Sequence, residues 1–173
     1  AEIIDKLDTT FVTPLDREDI YALTHKLDNI VDGIESAGRR VKIFAKHLGG
    51  NFDFFATAGL LQHTRDLTDI LGESIKALVA AVEALSSRKA ERINSYHATI
   101  HRCENMGDDV WEGDGGVLDM QTGFLVCALD EPMTKGDYLR FRWETGVCHK
   151  IEDTLDAVKE TIDCISSTVK KYA

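Results

Sequence analysis

An imidazole followed by two carboxylates, spaced His-x-x-acid-x-x-x-Asp, occurs three times in this sequence. The copies are His25, Asp28 and Asp32; His101, Glu104 and Asp108; and His149, Glu152 and Asp156. The chain has six histidines, so half of them open the pattern. Chance placement would give about 0.1 copies when matches to the template are counted. On a helix, positions i, i+3 and i+7 fall within about 60° of one another, because each residue turns the chain by ~100°. Each copy therefore predicts one imidazole and two carboxylates on a single helix face. Carboxylates at i and i+4 repel each other, and a cation shared between helices would reverse that repulsion. Oxygen-rich sites with some imidazole suit iron, manganese, zinc or magnesium. For any one copy a solvated acidic surface is the ordinary reading; the threefold recurrence favours metal ligation. His63, Asp66 and Asp69 imitate the pattern with the wrong spacing and are set aside.

The rest of the composition narrows the class. The 173 residues suffice for one domain with a real core. A net charge of −10 argues against nucleic acid or an anionic membrane surface as the direct partner. Cys103, Cys127, Cys148 and Cys164 form no CxxC pair, so a thiolate zinc site and a disulfide scaffold are not expected. Reduced thiols in a cytoplasm are the expected state. The opening AEIIDKL lacks the basic, then apolar, pattern of a secretory signal. No apolar run approaches the ~20 residues that would span a bilayer, so no transmembrane segment is expected. No P-loop, GxSxG, HExxH or dinucleotide fingerprint occurs, and the chain is not expected to be an enzyme.

The elements that must carry these stripes are helices. Thr13-Pro14-Leu15-Asp16 reads as a cap, a first-turn proline and a first-turn acid. The helix it opens carries Leu23, Leu27, Ile30, Ile34, Val41 and Phe44, and should stop near His47 before Leu48-Gly49-Gly50. A second helix runs from about Ala56 to Leu85, and Ser86-Ser87 interrupts it. A third covers roughly Lys89 to Trp111. Gly113-Asp114-Gly115-Gly116 reads as a turn, and the apolar stretch after it as a helical connection, with a short strand as the alternative. After Asp130-Glu131-Pro132, a last helix spans about Lys135 to Lys171. The expected architecture is all-α, with four long helices and short links. Residues 1–8 have helical composition but no cap, as if they were the tail of a helix whose beginning is missing. Without that wall, the stripe from Leu23 to Ile34 would be left partly exposed and prone to self-association. Interior glycines, Gly33 and Gly107 among them, lower helix propensity and could permit close helix approach. On helical wheels the acids lie opposite or beside the apolar stripes, which predicts an outer face or shallow groove rather than a buried ferritin-like site.

The stretch from Thr9 to Ile20 (TTFVTPLDREDI), followed by LTHKLDNIVDGIESAGRR, resembles the PhoU-like proteins found beside Pit-type low-affinity phosphate transporters. The ending KIEDTLDAVKETIDCISSTVKKYA is similar to that family's last helix. The resemblance covers most of the chain, is most specific at TFVTPLDREDI, and is weak from Gly113 to Leu129. It implies a PhoU-like antiparallel bundle of two three-helix repeats, here about 1–87 and 88–173 of a single domain, with the first helix largely absent. It also implies metal ions, often multinuclear iron or zinc clusters, on a repeated E/D-x-x-x-D motif. That motif falls on Asp28 and Asp32, Glu104 and Asp108, and Glu152 and Asp156. His25, His101 and His149 are not a fixed part of it; their liganding role rests on this sequence's own repetition, and a local ion pair with the acids is the alternative reading for each.

The expected function is a metal-binding accessory or regulatory protein of inorganic phosphate transport. It would act by protein–protein contact with a Pit-type transporter at the cytoplasmic membrane face. The expected cofactors are divalent or trivalent iron, zinc or manganese, and a homo-oligomer is among the expected assemblies. Facing acid pairs from neighbouring helices would form one site, with Asp28 and Asp32 contributing half of a second. Two other classes stay open. A carboxylate-bridged di-iron oxidoreductase usually carries Glu-x-x-His pointing into the bundle core, whereas here the order is reversed and the acids point outward. A structural bundle without metal would need neither.

Overall fold

In a computed structural model, the described residues are 16–47, 60–86, 90–130 and 134–172. They form five helices: α1 (Arg17–His47), α2 (Leu60–Ser86), α3 (Ala90–Glu112), α4 (Val117–Asp130) and α5 (Lys135–Tyr172). Among the described residues there is no strand, so the chain is an all-α bundle. The cap at Thr13 with its first-turn Pro14, Pro132, the stop at Gly49-Gly50, the start near Ala56 and residues 1–8 lie outside the described residues.

Local chemistry accounts for the boundaries. Glu18 and Asp19 place negative charge at the α1 N-terminus, where the helix dipole favours it. α5 opens on a reciprocal cap: the Asp137 backbone N–H donates to Thr134 Oγ1 and the Thr134 hydroxyl donates back to Asp137 Oδ2. The glycine-rich link between α3 and α4 turns where Gly115 takes a φ of 74°, a left-handed conformation that only glycine adopts without strain. The apolar stretch after it is a helix, α4, rather than a strand. It packs lightly, and Phe124 stacks on Phe141 of α5 at 3.9 Å.

The 38-residue α5 is the spine. α2, α3 and α5 pack against one another, and α1 packs on α5. Paired contacts give the directions. Asp16 meets Tyr172, Lys26 meets Glu160 and Arg40 meets Trp143, so α1 runs antiparallel to α5. His97 meets Asp163 and Trp111 meets His149, so α3 does too. Leu67, Ile93, Ile100, Val158, Ile162 and Ile165 fill the core and are fully buried. Fully burying a side chain of this kind contributes about 1.5–3 kcal/mol relative to leaving it in water.

Two glycines set how closely the outer helices approach the spine. A Cβ on Gly107 would fall 2.7 Å from Leu155 Cδ1, and one on Gly33 would collide with Thr154 Oγ1 and lie 3.2 Å from Thr154 Cβ. Both glycines face the same level of α5, so α1 and α3 can each seat tightly there. At the far end, Lys171 Nζ reaches Asp16 and Asp19 at 2.7 and 2.9 Å, and the Tyr172 hydroxyl donates to Asp19. The Lys-Tyr of the chain's ending is thus a clasp on the start of α1.

An apolar groove of about 350 Å³ runs between α1 and α2, with Leu27, Ile30, Val31, Ile34, Leu78 and Val79 among its walls. Ile30 is buried, whereas Val31 and Val79 are exposed. No described helix is long and apolar enough to cross a membrane.

Candidate metal centre

The antiparallel seam between α3 and α5 carries a line of polar residues, and Gly107 packs against Leu155 beside it. Because that position lacks a side chain, the flanking Glu104 and Asp108 are carried close to α5. Glu104, Asp108 and Asp156 each offer a carboxylate oxygen within 4.8 Å of the others. Glu104 is 8% exposed, Asp108 half-buried and Asp156 exposed, so the cluster runs from a buried carboxylate to one open to solvent. This differs in part from the outward-facing wheel. Glu104 lies inside the seam because helix packing tilts the edge of its stripe into contact.

The electrostatics record the crowding. Burial, then the charge of Glu104, Asp156 and Glu112, raises Asp108 above the usual carboxylate range. Burial and Glu104 do the same for Asp156. Glu152, one turn away, is raised from 4.5 to about 7 by burial and then by Asp156, Asp153, Asp108 and Glu112. Lys159 is the local counter-charge. Its Nζ donates to Glu104 Oε1, and that hydrogen bond raises the lysine. On spacing alone Glu104 and Asp108 form an uncompensated repelling pair. Lys159, projecting from the facing helix, compensates Glu104 and leaves Asp108 and Asp156 unbalanced.

His101 parts company with the acids of its own stripe. His101 Nε2 lies 3.0 Å from Asp163, beside His97 at 2.9 Å from the same oxygen, rather than with Glu104 and Asp108. His149 does stay with its stripe: Nδ1 lies 3.6 Å from Glu152 and 3.8 Å from Asp153. Its ring stacks on Trp111, with centroids 5.1 Å apart. His25, Asp28 and Asp32 are exposed on α1 and join no third ligand among the described residues. Asp32 lines a surface pocket of about 400 Å³ with Ser36, Lys150, Asp153 and Thr154 on the opposite flank of α5.

His97, Asp153, Lys159 and Asp163 stand outside the repeated pattern. His97 and Asp153 are legible from spacing, since each lies one helical turn from a patterned histidine, His101 and His149. Lys159 and Asp163 are not, because their roles depend on the α3–α5 register. The donor chemistry suits a hard or borderline cation: three carboxylates around one point, with excess negative charge and one ammonium beside them. Glu104, Asp108 and Asp156 would hold such an ion. It would supply a fixed positive charge joining α3 to α5.

No family model matches the chain. The chain is similar to the UPF0111 protein YkaA of Bacillus subtilis (strain 168), 27% identical over 108 residues, covering 60% of this chain and 47% of that protein. It thus spans about half the length of the curated relative it matches.

Proposed function

We propose that this chain is a PhoU-like accessory protein of inorganic phosphate transport that binds metal at the α3–α5 seam. It works by contact with a Pit-type transporter at the cytoplasmic membrane face and performs no chemistry of its own. The observation that carries the metal reading is the convergence of Glu104, Asp108 and Asp156 from two helices within 4.8 Å. Such a cluster costs the folded state through like-charge repulsion. An ion that binds the folded arrangement and not the unfolded chain turns that cost into stabilisation. The transport reading is supported by the resemblance of residues 9–20 and of the last helix to the PhoU-like proteins. The chain's own clasp involves those same two regions, since Lys171 and Tyr172 hold Asp16 and Asp19.

The functional test is phosphate uptake by cells expressing a Pit-type transporter, with and without this chain. The parent chain should alter uptake, and an Asp108→Asn/Asp156→Asn variant expressed to the same level should not. Uptake that is indifferent to the parent chain would remove the transport reading, whatever metal the protein binds.

A further inference from the structure

A chemically different cluster lies further along the same seam. His97 and His101 stand one turn apart on α3, and both Nε2 atoms converge on Oδ1 of Asp163 on α5, at 2.9 and 3.0 Å. Their rings are 4.3 Å apart and inclined by 31°. The side chains are 33%, 34% and 45% exposed, so an ion reaches them from solvent without opening the fold. Metal bonds of about 2.0–2.2 Å to imidazole nitrogen and carboxylate oxygen in a tetrahedron place neighbouring ligand atoms about 3.3–3.5 Å apart. The observed spacing is a few tenths of an ångström shorter, so a slight outward turn of the two rings admits an ion in place of the two shared hydrogen bonds.

Lys159 stands one turn before Asp163 and is occupied by Glu104. The two clusters are therefore divided by a fixed positive charge. The midpoints of their α3 residues are about seven positions apart, or ~10 Å along the helix axis.

We propose that His97, His101 and Asp163 form a binding site for a borderline divalent ion such as zinc, cobalt or nickel, with one coordination position open to solvent. Imidazole-rich donor sets select these ions, whereas three carboxylates accept manganese or magnesium as well. The site does not depend on the acidic cluster and stands or falls separately from it. It gives His101 a partner set different from the one its spacing to Glu104 and Asp108 suggests.

The test uses the full chain without a histidine tag, stripped of metal and titrated with cobalt(II) alone. Ligand-field absorption in the visible reports tetrahedral nitrogen-containing coordination, and zinc is then added as a competitor. The parent and an Asp108→Asn/Asp156→Asn variant should both show the cobalt band, and zinc should displace it. His97→Ala/His101→Ala should weaken cobalt binding by at least about tenfold, since even outer partners of metal ligands are worth 10–100-fold. Asp163→Asn, which keeps size and both histidines, provides the same reading if the double histidine variant lacks a native circular dichroism spectrum. Unchanged cobalt affinity in Asp163→Asn would overturn the proposal. So would a band that disappears with Asp108 and Asp156 while surviving loss of the histidines.

Discussion

Replacing Glu152 by Gln should stabilise the metal-free protein at pH 8 and do almost nothing at pH 4.5. Glu152 ordinarily ionises near 4.5 and in the fold does so at about 7, because it is buried beside Asp156, Asp153 and Asp108. Between those values the folded chain holds a proton that the unfolded chain has released. Its contribution to stability is therefore intact below pH 4.5 and is lost as the pH rises through 7. At about 1.36 kcal/mol per pH unit, the full displacement has a ceiling near 3 kcal/mol. The Glu152 side chain is 14% exposed and stands one turn from the exposed Asp156, so solvent screening reduces the figure to roughly 1–2 kcal/mol. For a chain of this length that corresponds to a rise in Tm of about 3–6 °C. The assay is thermal unfolding in chelator at the two pH values, parent against Glu152→Gln. A variant less stable than the parent at pH 8, or equally stabilised at both pH values, would refute the picture of crowded carboxylates.

Other consequences concern the same seam. Lys159→Met should lower metal-free stability by about 1–3 kcal/mol, because Glu104 is left in its buried position without a partner. The same variant should tighten manganese binding, since the competing ammonium is gone, and a manganese titration of the two proteins checks both signs. Gly33→Ala should cost about 1–3 kcal/mol through overlap with buried Thr154. Gly38→Ala, whose Cβ meets nothing within 4 Å, should stabilise by up to ~1 kcal/mol, and denaturant unfolding of the pair separates close approach from helix propensity. Tryptophan emission should respond to metal through Trp111, which stacks on His149, and not through Trp143, which stacks on Phe44. Trp111→Phe should abolish the response and Trp143→Phe should keep it.

Much of the scaffold is legible because its signals are local. Apolar residues at helical spacing announce α1, α2, α3 and α5, and the Gly113–Gly116 turn is visible in its glycines. The character of α4 is less so, since an apolar run of that length fits a strand or a helix until its partners are known. The acid stripes are likewise local and readable. Which stripe meets which is not, because that depends on the register between helices far apart in sequence. That register is set by particular contacts, such as Gly107 against Leu155. It sends His101 across to Asp163 although its spacing points to Glu104 and Asp108. It also seats Glu104 in the seam beside Lys159, a residue that carries no signal of its own on a helical wheel. Asp28 and Asp32 repeat the pattern faithfully, yet α1 docks on the other flank of α5 and leaves them away from the seam.

The measurement closest to the central claim is the metal content of tag-free protein, determined by elemental analysis after dialysis against manganese, ferrous iron or zinc. The parent should retain at least one ion per chain of manganese or iron, and Asp108→Asn/Asp156→Asn should lose it while keeping its helical circular dichroism. A parent that emerges free of all three metals, or a variant that retains manganese as well as the parent does, would contradict a metal centre at Glu104, Asp108 and Asp156.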